Sequence, residues 1–279
     1  MNRFLTLFFC LLLFSHLLYA QIVRKPVAAS YIGPGAYSNS HIDVFSFTAN
    51  QAALARLKNS SVGIYGEKRY MLNELGFYNT AFALPTSSGN FAVKGGYFGF
   101  SDYNETQAGL AYARQLGDKI DIGVQFNYYN IRTAGYGSAS AISAEAGVIM
   151  HLTEKLNAGF HIANPMGAKF GKNSDEKLPF VYSAGLGYEG SENFFISLEV
   201  EKEESMPVNV NAALQYRFAK QLFARAGIVT NTSAFWLGAG VLYRAVRIDA
   251  TATYHPQLGI TPGLLLIFNF SKPKEEDKH

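Results

Sequence analysis

Three histidines and three serines are the residue types from which a hydrolase could be assembled: His151, His161 and His255 with Ser143, Ser183 and Ser197. An imidazole that takes the hydroxyl proton turns serine into a nucleophile. No local motif surrounds these serines, and the histidines fall on separate predicted strands, so no enzyme is expected. No ligand-type spacing of His, Asp or Glu suggests a metal centre. The single cysteine, Cys10, lies within the first 20 residues, and no cofactor is expected. Four arginines, Arg217, Arg225, Arg244 and Arg247, fall on consecutive late strands. Together they could grip a carboxylate or an anionic head group. The reading preferred over that one is a charge ladder with Glu199, Glu201 and Asp249. "GPG" at 33–35 is a turn, because no strand–loop–helix context makes it a phosphate loop.

The elements that carry these residues alternate with period two. In "VNVNAALQYRF", residues 208–218, Val208, Val210, Ala212, Leu214, Tyr216 and Phe218 oppose Asn209, Asn211, Ala213, Gln215 and Arg217. That is a strand with one greasy and one wet face. Residues 119–129 and 245–255 behave in the same way. About 14 such runs of roughly 8–13 residues follow Ser61, the length a tilted membrane strand needs. Runs 61–70 and 89–101 alternate least well. The connections alternate too: short ones such as "LGDK" and "RA" interleave with longer ones, of which 164–179 is the longest. Short turns on one side and long loops on the other are the habit of outer-membrane barrels.

Which face looks inward is decided by charge and aromatic placement. Glu105, Asp121, Glu145, Glu199, Arg217, Arg225, Arg247 and Asp249 all sit on the wet face. In lipid each would cost about 2–4 kcal/mol at the midplane, so they are expected to line a lumen. Tyr112, Tyr128, Tyr182, Tyr188, Tyr216, Phe218, Tyr243, Tyr254 and Phe270 lie on the greasy face near strand ends, as interfacial girdles do. The expected fold is therefore an all-β transmembrane antiparallel barrel of about 14 strands spanning 61–270. Charged residues make up 16 % of the chain, below the usual share of soluble domains. The 24 basic and 21 acidic residues are too balanced to suggest nucleic acid.

The ends complete the plan. Residues 1–20, with Arg3 ahead of a short apolar run and Ala20 before Gln21, read as a secretory signal peptide. Residues 21–60 lack sustained alternation and are expected to plug the barrel. Within them Thr48 or Asn50 could cap a short helix, with Asn50, Leu54 and Leu57 as the docking residues. The tail 271–279 is charged and expected on the periplasmic side. Pro262–Gly263 in the last strand is a candidate kink, because proline removes a ladder donor.

The segment "TANQAALARLKNSSVGIYGEKRY" followed by hairpins resembles the FadL/OMPP1-type barrels of Bacteroidota, most of all the PorV/PorQ-like branch linked to type IX secretion. The matching residues are Asn50, Ala52, Ala53, Leu54 and Ala55, with Gln51 where that group has proline. The PorP/SprF barrels of the same system are a near alternative. The resemblance implies a 14-stranded barrel with an N-terminal plug and no catalytic residues. It implies either a non-enzymatic secretion component or passage of small hydrophobic molecules. The expected partners are outer-membrane lipid, secretion-system proteins or a hydrophobic ligand, around a monomeric barrel.

Overall fold

The computed structural model describes residues 34–171, 177–204 and 206–270. The predicted signal peptide, residues 21–33 and the charged tail 271–279 lie outside the described residues. From residue 61 the chain is a closed barrel of 14 antiparallel strands, each paired to its neighbours in sequence, with the first paired to the last.

The strands are β1 (Ser61–Lys68), β2 (Gly76–Thr86), β3 (Gly89–Gly99), β4 (Tyr103–Leu116), β5 (Ile120–Thr133), β6 (Gly137–His151) and β7 (Leu156–Ala163). Then come β8 (Val181–Ser191), β9 (Phe194–Glu203), β10 (Asn209–Arg217), β11 (Leu222–Val229), β12 (Ala234–Tyr243), β13 (Val246–His255) and β14 (Gly259–Asn269). The wall is uneven: β4 to β6 run 14, 14 and 15 residues, whereas β10 and β11 run 9 and 8. An even strand count puts both ends of the barrel chain at one rim, called here the terminus side.

The period-two pattern resolves as expected. In β5, Ile120, Ile122, Val124, Phe126 and Tyr128 point outward and are exposed, while Asp121, Gln125, Asn127 and Tyr129 point inward and are buried. The weakly alternating runs also have a definite register. In β3, Asn90, Ala92, Lys94 and Phe98 are buried, and Phe91, Val93 and Tyr97 face out. All nine girdle aromatics except Tyr112 are among the exposed apolar side chains. Directly paired Ala224, Ala239 and Ala250 thin the outer face over β11 to β13, leaving an apolar groove of about 540 Å³ beside Leu214 and Tyr216.

Pro262 and Gly263 do not break β14, which runs through them. The β1–β14 ladder ends at Glu67 opposite Gly263, so Pro262 sits one step beyond it. There the turn after β1 crosses over, and the Tyr70 N–H donates to the Thr261 hydroxyl at 2.9 Å. Proline is tolerated where no β1 partner asks for its missing N–H.

Candidate functional site: the barrel interior and residues 34–57

Residues 34–57 lie against the inward side chains of the wall. They form three short 3-10 segments, Pro34–Tyr37, Ser46–Thr48 and Gln51–Arg56. Asn50 caps the last: its backbone is extended and its side chain accepts from the Ala52 N–H. Asn50 was one of the two cap candidates in the sequence; Thr48 instead donates its hydroxyl to the Phe45 carbonyl at 2.7 Å.

Glycines on the wall shape the seat. Gly159 and Gly185 are directly opposite on β7 and β8, with Gly187 two residues on. A Cβ built on Gly185 would lie 2.2 Å from Cζ of Tyr37, and one on Gly187 would lie 2.1 Å from the Tyr37 carbonyl oxygen. Gly123 and Gly147 are likewise paired across β5 and β6. Cβ atoms there would come within 2.4 Å of the Gln51 carbonyl carbon and 2.2 Å of Asn50 Oδ1. At Gly63 a Cβ would meet the Phe45 ring at 2.4 Å. The missing side chains therefore make three notches, filled by Tyr37, by Asn50–Gln51 and by Val44–Phe45.

Hydrogen bonds and ion pairs fix the same segment. The Tyr37 hydroxyl donates to Glu199 at 2.5 Å, and Asn157 Nδ2 donates to the Tyr37 carbonyl at 3.0 Å. Burial, reinforced by Glu199, holds the Tyr37 phenol well above its ordinary pKa, so it stays a neutral donor. Gln51 Nε2 donates to Glu145 at 2.7 Å, and Asn90 Nδ2 donates to the carbonyls of Leu54 and Leu57 at 2.7 and 2.9 Å. Arg247 bridges Asp43 of the segment, at 2.9 Å, and Asp249 of its own strand. Arg56 Nε donates to Asp121 at 2.7 Å, and the same carboxylate oxygen meets His151 Nε2 at 2.7 Å. His151 Nδ1 faces Asn157 Oδ1 at 2.7 Å.

The eight predicted lumen residues all lie on the inward face, but in different company. Asp121, Glu145, Glu199, Arg247 and Asp249 meet the segment or its direct partners. Glu105 instead accepts from Tyr103 at 2.5 Å, nearer the far rim. Arg225 donates to Gln215 at 2.5 Å and stacks on Phe223, and Arg217 lies opposite Phe223 in the ladder. The arginine cluster comes apart: Arg244 occupies the β12–β13 turn at positive φ, over the Tyr243 ring. A two-residue turn throws it off the inward face, so the four arginines form no single anion site. Of the serines and histidines, His161 Nε2 faces Glu145 at 3.3 Å, and His255 packs edge-on to Tyr70. Among the described residues neither Ser183 Oγ nor His161 Nδ1 has a hydrogen-bond partner by distance and angle, although the two residues are directly opposite.

Two features escaped the sequence reading. The lumen is not uniformly wet: Phe45, Phe47, Leu54, Tyr65, Phe77, Phe98, Trp236, Leu265 and Ile267 form a buried apolar cluster. The described parts of the β7–β8 connection also turn inward, burying Phe170 and Leu178 against Tyr129 and Ala141. The run "LLLI" at 264–267 was the available signal, since it is apolar on both faces of one strand.

His41 gives the segment a measurable pH dependence. It is buried, stacked on Phe195 with ring centroids 5.5 Å apart, and its Nε2 has no partner among the described residues. Burial is the largest influence and pushes it from 6.5 down to about 4, with Glu189 opposing and Arg225, Arg217 and Arg247 adding. The released segment binds the proton more readily than the seated one, so seating weakens as pH falls from 6.5 towards about 4. The full effect is on the order of 3 kcal/mol. Protection factors of residues 34–57, referred to the intrinsic exchange rate at each pH, should fall across that window, and His41→Phe should flatten the response. Equal protection at pH 7 and pH 4.5 in the unaltered chain would refute this account.

No family model matches the sequence, and no curated protein matches it significantly. Solved structures do. The deltaS2 mutant of the monoaromatic hydrocarbon channel TodX aligns with TM-score 0.64 at 10 % identity, over 88 % of this chain and 100 % of that one. The CymD monoaromatic hydrocarbon channel aligns with TM-score 0.58 at 12 % identity, covering 86 % and 98 %. A Pseudomonas aeruginosa FadL homologue aligns with TM-score 0.57 at 11 % identity, covering 88 % and 98 %. The chain thus has the fold of FadL-type barrels. At these identities the likeness defines the fold alone.

Proposed function

We propose that this chain is a non-enzymatic outer-membrane barrel, exported through its signal peptide, that passes small hydrophobic molecules. Residues 34–57 are its plug, and the rim bearing the strand termini is periplasmic. The observation that carries the reading is the closed 14-stranded barrel with an apolar outer face, in the shape of TodX and CymD, whose names describe hydrocarbon channels. The buried apolar cluster around Trp236 adds support, because a greasy strip beside a plug suits an apolar solute better than a wholly ionic lumen does.

A second reading, a PorV/PorQ-like component of type IX secretion, draws on a different feature. On the β5 to β9 side the lumen is polar and tied to the plug by Glu145, Glu199 and Asp121, as a scaffold that need not conduct would be. Deleting the gene and measuring both toluene uptake and the secreted proteome separates the two. The transport reading expects uptake to fall while the secretome stays unchanged. Loss of many exported proteins with normal uptake would overturn it in favour of secretion.

A further inference from the structure

The apolar cluster inside the barrel is a seam that runs from one rim to the other. Phe77 and Phe98 begin it at the far rim, and Ala81, Ala83 and Ala92 continue it down β2 and β3. Ala55 and Leu57 end it, and both also line a cavity of about 660 Å³ at the terminus-side mouth. The wall is mostly alanine along this path, so Phe45, Phe47 and Leu54 of the plug fill the seam. Its far end is closed by one charged side chain. Arg69, the first residue after β1, places its Cζ 5.0 Å from the centroid of the Phe98 ring and 5.6 Å from that of Phe77. Its Nε donates to Glu67 at 2.9 Å, and Glu67 also accepts from the Tyr65 hydroxyl at 2.7 Å. Both rings are buried, whereas the Arg69 side chain keeps 14 % exposure, so the guanidinium is the layer next to solvent. The backbone that delivers it is bent and pinned. Tyr70 and Met71 adopt φ of 52° and 63°, a strained region that survives only where the surroundings enforce it. The Tyr70 N–H is tied to Thr261 on β14.

We propose that Arg69 is a movable stopper on this seam, and that an apolar solute enters by taking its place between Phe77 and Phe98. The inference rests on the transport reading above. A guanidinium is planar and weakly hydrated for a cation, so it lies on aromatic faces without being locked there. Swung outward on its long stem it regains water, and an uncharged solute covers the two ring faces it leaves. Glu67 keeps the Tyr65 hydroxyl when Arg69 departs, and the pinned Tyr70 backbone stays in place. Below the rings the solute meets short alanine side chains, so only side chains of the plug need shift on the way to the terminus-side cavity.

The test combines thiol labelling with uptake. Ala81→Cys puts a unique thiol in the seam, on the inward face of β2 below Phe77. In the purified, detergent-solubilised barrel N-ethylmaleimide should label it slowly. R69A should speed labelling roughly tenfold or more, and so should E67Q/R69A, which leaves no buried carboxylate behind. R69K should fall between, because an ammonium keeps the charge but not the flat stack. R132A, which removes an exposed arginine from the outer face of β5 at the same rim, should stay within about twofold. Heat-modifiable mobility confirms that each variant is a folded barrel. In the deletion strain, R69A should take up toluene faster than the unaltered chain. Equal labelling with and without Arg69, or an equal gain in R132A, would overturn the stopper. Faster labelling with unchanged uptake would overturn the solute route. If the unaltered chain restores no uptake while labelling still follows Arg69, the transport reading fails and the stopper stands.

Discussion

Replacing Gly123 with valine should leave the barrel intact and unseat residues 34–57. The position faces inward in the middle of the polar seat, directly opposite Gly147. Its added Cβ would lie 2.4 Å from the carbonyl carbon of Gln51, 2.5 Å from its oxygen and 2.6 Å from the Ala52 nitrogen. All three are backbone atoms, so no rotamer change relieves the overlap, and valine adds two further methyl groups. Overpacking of this kind commonly costs 1–3 kcal/mol where side chains can shift, and costs more where backbone is struck. The Asn50 cap and the Gln51–Glu145 bond sit at the same spot and would go together. Cys10 is the chain's only cysteine and precedes the predicted cleavage point, so Ala53→Cys installs a unique thiol at a fully buried position. Maleimide labelling of Cys at 53 should be slow in the otherwise unaltered barrel and fast with valine at 123, while heat-modifiable mobility persists in both. Equal, slow labelling of the two would mean that the glycine notch does not decide seating. Gly147→Ala should act more weakly, because the atom it strikes is the movable Oδ1 of Asn50.

How much of this was legible beforehand follows from where the information resides. Outward and inward faces are local properties. In β5, β9 and β13 the side chains alternate along one segment, and the face assignment needs no partner strand. Two strands depart from a wet inner face for identifiable reasons. β3 turns Phe98 inward, against the guanidinium of Arg69 at 5.0 Å, and places Gly95 on the outer face. β14 is apolar on both sides because Leu265 and Ile267 pack on Phe45 and its neighbours inside the barrel. In each case a tertiary contact overrides the rule that the inner face is wet. The seat for Tyr37 was beyond reach for a different reason. Gly159, Gly185 and Gly187 become one notch only when β7 and β8 pair. Taken singly, a strand glycine signals only a weakened strand or a close backbone approach. Tyr37 itself stands among Gly, Pro, Ser and Asn, a composition that reads as turn.

The interior also explains why so many ionic groups are tolerated away from bulk water. Asp121 is fully buried, yet one of its oxygens accepts from both Arg56 and His151. Arg247 is shared between Asp43 and Asp249. Removing one partner of such a set leaves a buried charge behind and typically costs 3–5 kcal/mol, whereas the intact set contributes little net stability. The pairs therefore specify where the segment sits more than they hold the wall together. The wall is held by its closed ladder, which leaves no edge unpaired.

That division of labour makes the outer surface the place where a single charge should do most damage to assembly. Leu237 is the fourth of ten residues in β12, faces outward, and is 55 % exposed. Tyr243, the last residue of that strand, is on the same face at the terminus-side rim. If the outer face meets hydrocarbon, an arginine at 237 costs about 2–4 kcal/mol, and one at 243 about 0–1 kcal/mol, because the long side chain reaches the interface from the rim. Leu237→Arg should thus depress refolding into lipid vesicles by tenfold or more, and Tyr243→Arg should barely change it. The two positions share one strand and one face, so depth alone is varied. A water-soluble protein would show no such depth gradient: both arginines would sit in solvent and both would be nearly neutral. A barrel that refolds equally well with arginine at 237 or at 243 is therefore not one whose alternating side chains were selected by a bilayer.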